Sequence, residues 1–132
     1  MASYPADPNF PRRRAVLLAD GVAVLITGIL AIALNNPLSR WMGWPSSGTL
    51  IGLGLLFLIW GGALTAVAQR SRPTRGFTLA VALVNNLWFD ATILLIALLR
   101  PPLTGIGLLV AVGSAAVAML FSVLQVMSTR KR

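Results

Sequence analysis

The sequence predicts an all-α polytopic membrane protein, an antiparallel four-helix transmembrane bundle. Hydrophobic residues fill 57% of the 132 positions and charged residues only 11%, whereas soluble domains carry about 25% charged residues. The apolar residues also fall into four continuous runs, at 15–34, 49–68, 77–99 and 103–127. Each is close to the ~20 residues that cross ~30 Å of hydrocarbon. A spanning β-barrel would need ~10-residue segments that alternate apolar and polar, and these runs do not alternate.

The opening stretch "MASYPADPNFPRRR" (1–14) has three prolines and no apolar period, and it is expected to be a flexible arm. Residues 15–132 then form a single transmembrane domain. Three arginines before the first run, and Ala31-Ile32-Ala33 near its end, imitate a cleaved signal peptide. The run is nevertheless longer than the usual apolar core of about 7–15 residues, and Asp20 interrupts it. It is therefore expected to stay as a span.

The connection "NNPLSRWMGWPSSG" carries Trp41 and Trp44. Tryptophan favours the headgroup zone, where its ring is buried and its N–H stays wet, so a short interfacial segment on the outer leaflet is expected. "RSRPTRG" is a tight turn, and Pro101 and Pro102 separate the last two spans. Connections this short make consecutive helices antiparallel neighbours.

Of the 11 basic residues, nine lie at one end of the spans: Arg12, Arg13, Arg14, Arg70, Arg72, Arg75, Arg130, Lys131 and Arg132. Arg40 and Arg100 lie at the other. The positive-inside rule then places both termini in the cytoplasm. A net charge of +8 invites nucleic acid, but these arginines abut spans and belong to no basic domain. Anionic lipid headgroups at the cytoplasmic face are the expected partner, and no nucleic acid is.

Small residues indicate the packing faces. Gly54, Gly61, Thr65 and Ala68 line one face of the second span, and Gly107, Ala111, Ala115, Ala118 and Ser122 one face of the fourth. In lipid such stripes let helix backbones approach and gain dispersion contacts. "GILAIALNNPL" and "TILLIALLRPPL" also echo each other, as a duplicated helical hairpin would.

Apart from hydroxyl side chains, the polar residues inside the spans are few: Asp20, Asn85, Asn86, Asp90 and Gln125, with Trp88 among them. An acid in the bilayer interior costs roughly 2.5–3.5 kcal/mol on insertion scales, which makes it a functional candidate. Asp90 is the deeper acid, about 20 Å from the start of its span, against about 8 Å for Asp20. A vertical sequence Asp20, Asn86, Asp90 forms if all three face inward. Asp20 reads as an acid at a helix start, near the positive end of the helix dipole, with Arg13 or Arg14 as its partner.

"RRRAVLLADG", "NNLW" (Asn85 to Trp88) and "LQVMSTRKR" together resemble a group of small bacterial four-span integral membrane proteins. Members of that group pair an Arg-then-Asp start to the first helix with Asn-x-Leu-Trp in the third and Leu-Gln closing the fourth. The resemblance implies a class and no mechanism. It marks Asp20, Asn85, Trp88 and Gln125, and leaves Asp90 outside its pattern.

With no cysteine and no histidine, the chain has no thiolate nucleophile, imidazole base, zinc site or histidine-ligated haem. No cofactor, metal or enzymatic activity is expected. The first expectation is a non-catalytic accessory or scaffold subunit, with a membrane-protein partner or as a homo-oligomer. The alternative is a proton-linked small-molecule carrier or efflux protein that uses Asp20 or Asp90.

Overall fold

A computed structural model describes residues 8–70 and 72–130. The first half of the expected arm (1–7) lies outside them, as do residues 71, 131 and 132. Among the described residues the chain forms five helices and no strand: α1 (Phe10–Ala33), α2 (Asn35–Met42), α3 (Ser47–Arg70), α4 (Arg75–Leu99) and α5 (Gly105–Thr129). α1, α3, α4 and α5 are each long and apolar enough to cross a membrane. The chain is a multi-pass, all-α membrane protein.

α1 begins at Phe10, earlier than the apolar run, so Arg12, Arg13 and Arg14 are helical. Pro11 sits in the first turn, where a missing N–H breaks no intrahelical bond. Arg13 is buried and its Nε donates to the Pro73 carbonyl at 3.3 Å. The exposed Arg14 donates to the Gln69 carbonyl at 3.4 Å. Arg72 lies over the Phe10 ring, 5.4 Å from its centroid. These contacts tie the start of α1 to the turn between α3 and α4.

α1 and α3 are the most closely packed pair, and two glycine contacts set their approach. A Cβ on Gly28 would lie 2.8 Å from the Gly54 carbonyl oxygen, and one on Gly61 would lie 2.8 Å from the Gly21 carbonyl oxygen. In each helix the two glycines stand seven residues apart, so the same antiparallel register repeats after two turns. The predicted Gly54 and Gly61 stripe is thus an interface with α1. A Cβ on Gly62 would meet nothing within 4 Å.

α4 and α5 form the second pair. Thr74 and Thr104 cap their first turns, accepting from Phe77 N at 3.1 Å and Gly107 N at 3.0 Å. Ser122 Oγ on α5 donates to the Ala82 carbonyl on α4 at 2.9 Å. Ala115 is fully buried and Gly107 and Ser122 are buried, so the predicted small-residue face of α5 points inward.

The short α2 occupies the long connection. Gly43, with φ of 79°, ends it in the left-handed region that glycine tolerates. Thr104 N donates to the Met42 carbonyl at 2.9 Å and Thr104 Oγ1 to that of Trp41, fastening α2 to the start of α5. Trp41 and Trp44 remain exposed.

One expectation is corrected. α3 and α4 are consecutive and joined by a tight turn, yet they are not a closely packed pair. The glycine face of α3 packs on α1, and the small-residue face of α5 packs on α4. The contact of α1 with α5 joins the two hairpins. Between α3 and α4 the gap is spanned by side chains, including the Phe57 and Trp88 rings, whose centroids are 5.3 Å apart in an edge contact.

Candidate functional site

Asp20 lies about 15 Å along α1 from Phe10. It is not paired with an arginine at the helix start. Its side chain is 1% exposed, and Nδ2 of Asn85 on α4 and Nε2 of Gln125 on α5 donate to its Oδ2 at 2.7 and 2.6 Å. Asn85 Nδ2 gives a second hydrogen bond to Gln125 Oε1 at 3.1 Å. Three side chains from three helices close a ring of hydrogen bonds. Each such interhelical bond contributes about 0.6 kcal/mol on average in membrane proteins, so the ring steadies the junction between the hairpins.

The sequence places these residues together by period. Thr78, Val81, Ala82 and Asn85 are the buried residues of α4, at steps of three and four. On α5 the stripe that passes through Ala115, Ala118 and Ser122 reaches Gln125 at its next step. On α1, Arg13, Leu17, Asp20 and Gly28 share the buried face. Beneath the ring, Leu17, Leu64, Ala68 and Val81 form the tightest core.

Above the ring lies a cavity of about 330 Å³, bounded by all four spanning helices. That is within the range of about 300–1,000 Å³ typical of small-molecule sites. Phe57, Trp60, Trp88 and Phe121 supply aromatic walls, and Asp20 and Asn85 supply its polar floor. Thr27 and Ser114 also line it, but their hydroxyls bond the Ala23 and Ala111 carbonyls of their own helices. Both donors to Asp20 converge on Oδ2, and no buried side-chain polar atom among the described residues lacks a partner. Oδ1 is therefore the oxygen that Asp20 turns toward the cavity. A proton on Oδ1 leaves both bonds at Oδ2 intact, so the ring accommodates the acid in either form.

The vertical sequence Asp20, Asn86, Asp90 is not built. Asp90 is exposed on the outer side of α4, where Asn86 Nδ2 donates to its Oδ2 at 3.0 Å. Asn85 takes the inward place because it continues the Thr78 and Ala82 face, and Asn86 is turned about 100° from it. The four residues marked by the resemblance do meet: Asp20, Asn85 and Gln125 in the ring, and Trp88 in the cavity wall. Sequence reasoning missed Phe57 and Phe121. Their only signal was aromatic character at the depth of Trp60.

Among the described residues no three histidine, cysteine or carboxylate side chains meet as a metal site would require. Fold and site define a multi-pass membrane protein with an apolar intramembrane cavity floored by one carboxyl group. Comparison with family models, curated proteins and solved structures gives no significant match to the chain.

Proposed function

We propose that the chain is a non-catalytic protein of a bacterial inner membrane, with both termini cytoplasmic, that binds and carries a small lipophilic cation in its intramembrane cavity. The observation that carries this reading is Asp20. Its Oδ1 faces an aromatic cavity, and among the described residues no ion pair engages its carboxylate. An anionic floor beneath four aromatic rings favours a cation with an apolar body, through charge at the floor and cation–π attraction at the walls. A proton and the ligand compete for the same oxygen, and this exchange is the basis of the proton-linked alternative. The arginines at the basic end contact anionic headgroups and set the orientation.

An accessory or scaffold role is the second reading. It draws on the polar pair Asn86 and Asp90, which sits outside the bundle where a neighbouring protein reaches it.

Tetraphenylphosphonium and tetraphenylborate, alike in size and opposite in charge, test the proposal. Each is titrated into nanodiscs holding the full chain while tryptophan fluorescence is followed, with protein-free nanodiscs correcting for partition. Saturable quenching by the cation alone, weakened at least roughly tenfold in Asp20→Asn, is expected. Equal response to both ions, or an unchanged response in Asp20→Asn, refutes cation binding at this site.

A further inference from the structure

Asp90 lies about 22 Å along α4 from Arg75, in a helix about 37 Å long, and so near mid-membrane. It is exposed and is not among the residues that line the cavity. Leu83, Leu87 and Leu94 surround it, 58%, 55% and 56% exposed. A carboxyl group in the middle of a lipid-facing leucine surface is rare, because acids within spans normally face protein or a water-filled cavity. Asn86 supplies one hydrogen bond from within the helix. The second N–H of Asn86 and the second oxygen of Asp90 lie beyond that bond.

The surrounding residues have a period. Leu83, Asn86, Asp90, Ile93 and Ala97 follow one another at steps of three, four, three and four. That is the a/d seam of a helix packed on a second, nearly parallel helix, with the polar pair at its centre. The packed neighbour of α4 within the chain is α5, and it leaves Leu83, Asp90, Ile93 and Ala97 of this row exposed. Polar groups at the centre of such a seam set register and partner number.

We propose that this face of α4 is the interface of a homodimer in which α4 packs in parallel against α4 of a second copy. Two features select a second copy. Asn86 and Asp90 carry both donors and acceptors, so the patch is complementary to itself about a two-fold axis. Two copies inserted in the same orientation share an axis along the membrane normal, which brings each polar pair to the depth of the other. The proposal is independent of ligand binding at Asp20.

The chain has no cysteine, so single cysteines report the interface directly. In liposomes holding only the purified full chain, Ile93→Cys and Ala97→Cys should form disulfide dimers under copper phenanthroline. Ile59→Cys on α3 and Leu109→Cys on α5, at positions 72% and 73% exposed, should not. Energy transfer between labelled copies on dilution in lipid should show dimerisation weakened roughly tenfold by Asp90→Leu and retained by Asp90→Asn. Unchanged thermal unfolding of Asp90→Leu in dilute micelles checks that the bundle itself survives. A chain that stays monomeric at every density, crosslinks equally through all four positions, or dimerises undiminished as Asp90→Leu overturns the proposal. The monomeric result would assign the seam to a different membrane protein.

Discussion

Asp20, Asn85 and Gln125 are bound to one another by three side-chain hydrogen bonds. Replacing Asp20 by leucine leaves Gln125 Nε2 without its acceptor and Asn85 Nδ2 with Gln125 Oε1 alone, and an unmet buried polar group costs about 1–3 kcal/mol. Asp20→Leu should therefore lower stability in detergent by about that amount. Asn85→Ala and Gln125→Ala should each cost roughly 1 kcal/mol. The double variant should deviate from their sum by at least about 0.5 kcal/mol, because the two side chains share a bond and an acceptor. Unfolding midpoints of the four proteins in one micelle type measure this cycle, and strict additivity would show that the ring does not act as a unit. Asp90 behaves differently, since its hydrogen bond lies within one helix and outside the bundle. Asp90→Asn should leave monomer stability within about 0.5 kcal/mol of the parent.

At the level of the helices, α1 and α3 approach through glycine. Gly54 faces the Gly28 carbonyl and the Ile32 side chain, and Gly52, two residues earlier, meets nothing within 4 Å. Gly54→Val forces a branched side chain against backbone that cannot yield without parting the helices. A loss of about 1–3 kcal/mol is expected, the range for overpacking. Gly52→Ala should be neutral or slightly stabilising, because alanine suits a helix better than glycine and has open space there. Thermal unfolding of the two variants side by side separates close approach from flexibility. Equal effects would mean that the glycines act through backbone freedom alone. The same contrast holds further along α3, where a Cβ on Gly61 would strike the Gly21 carbonyl while one on its neighbour Gly62 would enter open space.

For the whole molecule, the charge distribution predicts orientation and the packing predicts division into two hairpins. Alkaline phosphatase fused to the C-terminus should be inactive in a bacterial host, and a fluorescent protein fused there should glow, if the nine basic residues hold their end in the cytoplasm. Active phosphatase would reverse the topology and place the cavity's polar floor nearer the outer surface. The hairpins α1 with α3 and α4 with α5 meet through the α1 and α5 contact and the ring around Asp20.

The number, approximate length and class of the spanning helices were legible in the sequence by itself, because crossing hydrocarbon demands long apolar runs with internally satisfied backbones. The small-residue faces of α3 and α5 were legible for a similar reason, since close approach requires glycine, alanine or serine at helical spacing. Only the tertiary structure decided which acid faces inward. Depth along the chain made Asp90 the deeper acid, but rotation about the helix axis decides burial, and one residue of offset turned Asn85 inward and Asn86 away. Only the tertiary structure, too, separated α3 from α4. A short turn constrains their ends, whereas side-chain volume along ~35 Å of helix sets which faces can meet. The cavity exists because those two helices do not close on each other, and a property that depends on four helices at once leaves no pattern in any one of them.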